Sequence, residues 1–219
     1  MLEGYVEVMW RATNEILDTW RTRAPHGGEM DMLDEMRRLA LVVLTRTLFR
    51  ADIAPQLASL WQAILGTLKY ISPGVWLIWP EAPRPGYRRA LAEMDGYLFA
   101  LIAKRRAWMG SKPHEEGDAD AFLGALLASG MGDYLIRDQL LTMLIAGHDT
   151  STALLAWALL LLMEHGEIQE HIRAEIADLP LQRPPTFAEL ANLETLDRTI
   201  KETLRLYPPI HLGSRIAAT

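Results

Sequence analysis

The sequence predicts a mainly α-helical fold with little or no sheet, on three observations. Apolar residues recur at three- and four-residue spacing in stretch after stretch. The breaks between these stretches fall on Gly- and Pro-containing segments, at His26-Gly27-Gly28, 72–85 and 180–185. Strand-like composition is confined to the tail, where HLGSRIAAT at 211–219 is partly β-branched, and a lone strand needs a partner.

Each element has its own local reason. A first helix is expected over 5–23, with Val6, Met9, Ile16, Leu17 and Trp20 on one side. Asp31 is placed to cap the second, with Asp34 and Glu35 in its first turn and an end near Phe49. A third amphipathic stretch covers 55–70. The prolines of SPGVWLIWPEAPRP at 72–85 forbid a continuous helix there. The next helix, 87–108, ends in the cations Lys104-Arg105-Arg106, which complement a helix C-terminus. A polar loop at 110–118 and a short helix at 120–129 lead to a long apolar helix over 133–164. An amphipathic helix follows at 167–178. Thr186 with Glu189 three residues on forms a capping box. The last helix, 194–207, is stopped by Pro208-Pro209.

Composition narrows the function. The 219 residues suffice for one sizeable core or two small ones. With 22 basic against 28 acidic residues and no basic stripe, the composition argues, if weakly, against nucleic acid as a partner. The absence of cysteine removes disulfides, thiolate zinc sites and thiol catalysis within these 219 residues. The six histidines show no metal-ligand spacing, so no metal site is expected among these residues. The N-terminal stretch lacks a signal-peptide core, and a cytoplasmic location is expected. Residues 140–163 are long enough to span a bilayer, but Asp149 near the midplane would cost roughly 2.5–3.5 kcal/mol. A buried core helix, and no membrane segment, is therefore expected.

The chemistry concentrates in that helix. Gly147-His148-Asp149-Thr150-Ser151-Thr152 interrupts LLTMLIAGHDTSTALLAWALLLLM with groups that pack poorly and compete for backbone carbonyls. Ala146, Gly147 and Thr150 lie near one face, small enough to admit a planar ligand close to the backbone. The Thr150 hydroxyl can bond the Ala146 carbonyl, and Asp149 can relay protons through water. A kinked core helix with self-satisfied hydroxyls is an equal reading of the same residues. Further on, Glu202 and Arg205 are i, i+3 neighbours, either an exposed pair or a bidentate anchor for a nearby loop.

Together these motifs carry a family resemblance. AGHDTST at 146–152 resembles the oxygen-binding helix motif of the cytochromes P450, the haem-thiolate monooxygenases. KETLRLYPP at 201–209 resembles their E-x-x-R helix, and the intervening HGEIQEHIRAEI and RPPTFAEL fit the longer-spaced branch of that family. The resemblance is strongest over 123–217 and weaker upstream, at MDMLDEMRRLALVVLTRTLF. It implies that residues 1–219 are the middle segment of one such domain, truncated at both ends, with no second domain. It also implies that Asp149 and Thr150 are the acid–alcohol pair delivering protons to dioxygen. Ala146 and Gly147 would lie over the haem, Arg215 would pair with a haem propionate, and Glu202–Arg205 would be a structural ion pair. His148 fills a variable position and is expected to contact a neighbouring helix, not to ligate iron.

Trp76, Leu77, Ile78 and Trp79 lie where the family roofs its substrate channel, although ordinary core is the favoured reading for each. The implied parent uses haem, dioxygen, an apolar organic substrate, and electrons from NAD(P)H through a reductase or ferredoxin partner. The family's thiolate ligand is a cysteine, which this chain lacks, so the piece alone is expected to be inactive and to expose apolar surface. The alternatives are a non-enzymatic helical domain descended from such an enzyme, binding a partner or apolar ligand, and an unrelated all-α interaction protein.

Overall fold

The computed structural model describes residues 2–23, 28–71, 79, 81–111, 122–180 and 182–210. Among these, nine α-helices and one short 3-10 turn follow one another with no strand. They are α1 (Leu2–Arg23), α2 (Met32–Leu48), the turn Ala54–Gln56, α3 (Leu57–Ile71), α4 (Tyr87–Ser111) and α5 (Phe122–Ala128). Then come α6 (Asp133–Glu164), α7 (Gly166–Ile176), α8 (Phe187–Ala191) and α9 (Glu194–Leu206). The expected turn at His26-Gly27, most of the 72–85 loop with Trp76, Leu77 and Ile78, the 112–121 segment and the tail from 211 lie outside the described residues. Trp79 is exposed.

The helix starts follow the capping chemistry. Asp31 Oδ1 accepts the backbone N–H groups of Leu33 and Asp34 at 2.9 and 3.1 Å, which satisfies two orphan donors at the start of α2. At α8 the capping box is complete in both directions. Arg183 grips the same Glu189 with two hydrogen bonds, at 2.6 and 3.0 Å. Those bonds, with the Thr186 backbone N–H, hold the Glu189 carboxyl at about 2.

Contacts group the chain into two compact units, residues 44–145 and residues 1–43 with 146–219. In the first unit, α3 packs on α4. The row Ala90, Met94, Leu98 and Ile102 on α4 is buried, one residue per turn. Gly66 lets the two helices close, because a Cβ there would sit 3.0 Å from that of Ala90. The Tyr70 hydroxyl donates to the Pro85 carbonyl at 2.8 Å and ties the end of α3 to the start of α4.

In the second unit, Glu35 on α2 is buried and fully engaged. It accepts the Trp20 indole N–H at 2.7 Å and pairs with Arg23 at 2.9 Å. A buried carboxylate is tolerable only with such partners. On α7, Glu175 reaches across to the start of α9 and accepts the backbone N–H groups of Thr195 (2.6 Å) and Leu196 (3.2 Å). It therefore caps a helix 20 residues further along the chain.

The close approach at Gly66 gives a direct test. Gly66→Leu is expected to destabilise the protein by about 1–3 kcal/mol through overpacking against Ala90. Gly66→Ala is expected to be near neutral, since the helix propensity gained offsets the tight contact. Urea unfolding midpoints of the two variants separate these outcomes.

Candidate active-site helix

Helix α6 turns one line of side chains inward. Ile136, Leu140, Leu144, His148 and Thr152 recur every four residues, and all five are buried. The row is apolar for its first three members and polar for its last two. His148 is only 1% exposed, and neither of its ring nitrogens nor the Thr152 hydroxyl has a hydrogen-bond partner among the described residues. Burial drives the His148 pKa down to about 4; the neighbouring Asp149 charge pulls it back in part, and Arg37 on α2 pushes it lower. The imidazole is therefore neutral at ordinary pH and sits in the core.

Asp149 stands about 100° around the helix from His148 and is exposed. The costly burial of an acid beside a histidine therefore does not arise. Ala146 is exposed, and Gly147 and Thr150 are half-buried. The Thr150 hydroxyl donates to the Ala146 carbonyl at 2.7 Å, the i−4 bond expected from the spacing. The structure thus brings Ala146, Gly147, Asp149 and Thr150 onto an accessible part of α6, with small residues on either side of one fixed hydroxyl.

Glu202 and Arg205 form a bidentate pair on α9, with bonds of 2.6 and 2.7 Å. The guanidinium's hydrogen bonds hold the Glu202 carboxyl below its ordinary range. Both side chains are more than half exposed. Arg215 lies outside the described residues.

One expectation is corrected. Helix α6 is not a fully buried core helix: it is long and apolar enough by length and composition to cross a membrane, yet only 17% of an 18-residue apolar window is buried. Trp157, Leu160 and Met163 on α6 are exposed, as are Ile200, Leu204 and Leu206 on α9. Trp157 stacks on Tyr207 with ring centroids 3.9 Å apart and planes within 5°. The physical reason is that the four-residue row uses one side of α6 only, and the other sides are at most half-buried among the described residues. The sequence reading also missed His148 and Thr152 as members of that row. The signal was there, in the four-residue spacing back to Leu144 and Leu140.

The helical chain thus carries a small-residue, hydroxyl-bearing stretch at the middle of its longest helix and a bidentate E-x-x-R pair on a later one. The family model described as Cytochrome P450 matches residues 1–219, and the chain belongs to that family. Among relatives, cyclooctat-9-en-7-ol 5-monooxygenase of Streptomyces melanosporofaciens is 30% identical over 99% of this chain and 48% of its own. Pentalenene oxygenase of Streptomyces avermitilis is 28% identical over 93% and 46%. A triple mutant of the cytochrome P450DA heme domain superposes with a TM-score of 0.71 at 28% identity, covering 93% of this chain and 46% of that one. The chain thus spans about half the length of the relatives it matches.

The buried histidine generates a pH prediction. Its folded pKa, about 4, lies below its ordinary 6.5, so the unfolded chain takes up the proton first as pH falls. The contribution is fully retained above pH 6.5 and is lost on acidification between 6.5 and 4, by about 3 kcal/mol in all. Unfolding free energy measured across that window is expected to fall, and His148→Leu is expected to flatten the slope. An equal slope in the variant would place the titration elsewhere.

Proposed function

We propose that this chain forms the oxygen-side wall and part of the structural frame of a haem-dependent monooxygenase acting on an apolar organic substrate. The observation that carries the reading is the accessible Ala146–Thr150 stretch of α6, set in a chain that matches the family along its whole length. The names of the relatives, an oxygenase and a monooxygenase, support oxygen insertion as the reaction.

The residues present fit a planar group on this stretch. Ala146 and Gly147 add almost no bulk above the backbone, so a flat ligand can approach it closely. The chain contributes no cysteine, so the thiolate that holds the iron in this family is not among these 219 residues. Haem, when bound, supplies the redox chemistry that activates dioxygen, with electrons from NAD(P)H through a redox partner.

The chain's own residues manage protons and position. Thr150 donates its hydroxyl hydrogen to the Ala146 carbonyl, which leaves the oxygen lone pairs fixed as acceptors for a water. Asp149, exposed one residue earlier, can exchange protons with solvent and pass them to that water. His148 is on the buried side of α6, away from the accessible stretch, so it is assigned no part in ligation. Glu202 and Arg205 act as a rigid strut on α9, and Arg215 is assigned to a propionate. By itself the piece is expected to be inactive.

The test uses the complete protein. Asp149→Asn is expected to slow product formation by about 10²-fold, the usual contribution of a positioned acid–base group. Thr150→Ala is expected to keep consuming the electron donor while yielding less product and more peroxide. Coupled oxidation unchanged in both variants would overturn the assignment.

A further inference from the structure

Within residues 44–145, a groove of about 570 Å³, lined by no residue of α6, opens between the α2–α3 connection and the C-terminal half of α4. Its size is that of a small-molecule site. Phe49, Leu101 and Trp108 give it an apolar floor, while Arg50, Lys104 and Arg105 bring three cations to its walls. In a chain of net charge −6, that local excess is unusual. The one acid in the lining, Asp52, is already engaged by Arg46 at 2.9 Å and by the Ala54 N–H at 3.0 Å. Burial alone would raise the Asp52 pKa, but the Arg46 and Ala54 bonds outweigh it and keep the carboxylate ionised. The Tyr97 hydroxyl is buried with no partner among the described residues. Burial and the Asp52 charge push it up to about 12, which keeps it a neutral donor.

Arg50 is the most informative member. It has φ +52, in the left-handed region. The Ala51 N–H reaches back across the left-handed residue to the Thr45 carbonyl at 3.1 Å. Glycine is the usual choice at that position because it adopts the conformation without strain. An arginine there gives up stability and gains only its side chain, which lines the groove. Neither Arg50 nor Lys104 has an ion-pair partner among the described residues.

We infer that this groove binds a monoanionic amphiphile, a carboxylate on an apolar tail, with its head between Arg50 and Lys104 and its tail on Phe49, Leu101 and Trp108. The Tyr97 hydroxyl donates a further bond to the head. The groove shares no residue with the 146–150 stretch and does not rest on the proposed reaction.

Decanoate below its micellar range is the probe, added to the purified protein carrying this chain. It is expected to quench tryptophan emission saturably, and Trp108→Phe is expected to remove that signal. Decanol and inorganic phosphate are each expected to bind at least tenfold more weakly. Lys104→Glu is expected to weaken decanoate at least tenfold. Arg50→Gly is the sharper variant: it is expected to raise the melting temperature by a few degrees while weakening decanoate at least fivefold. Because stability and affinity then move in opposite directions, misfolding cannot mimic the result. Decanol binding as tightly as decanoate would reduce the groove to an apolar patch. Phosphate binding as tightly would reduce it to an anion site, and unaltered affinity in both charge variants would overturn the proposal.

Discussion

The four-residue row on α6 is the constraint on which the rest depends. A helix that buries Ile136, Leu140, Leu144, His148 and Thr152 has committed one line of its surface to the interior. Everything else on α6 is placed relative to that line by the fixed 100° step between residues. Asp149, one step on, is exposed because His148 is buried. Rotate the helix by one residue and the carboxylate enters the core without a partner, at a cost of several kcal/mol. The polar end of the row thus indexes the rotation of the helix and presents the accessible stretch.

Much of this was legible in the sequence, and the reason is locality. Asp31, Thr186 and Glu189 announce helix starts through bonds spanning two or three residues, and the structure forms those bonds. The long helix at 133–164 ends where its apolar run ends. The motif at 146–152 was legible for the same reason, since the Thr150–Ala146 bond lies within one turn.

What was not legible depends on partners distant in sequence. Nothing near Glu175 signals that its carboxylate will cap α9. Nothing near Gly66 signals that Ala90 will approach it. The extent to which α6 is covered is likewise a property of its neighbours, and composition alone suggested more burial than the structure shows. Arg50 is intermediate: the left-handed position is set by the helix end, but an arginine there gives no local hint of it.

The Glu175 cap also bears on how such chains diverge. Because α9 begins where a carboxylate on α7 meets two backbone amides, its start is held through space as well as by the local bonds at Asn192 and Leu193. The stretch before Asn192 then has less of the work of measuring the distance. A change of length before Asn192 would leave the Glu175 clasp free to seat α9 at the same two amides.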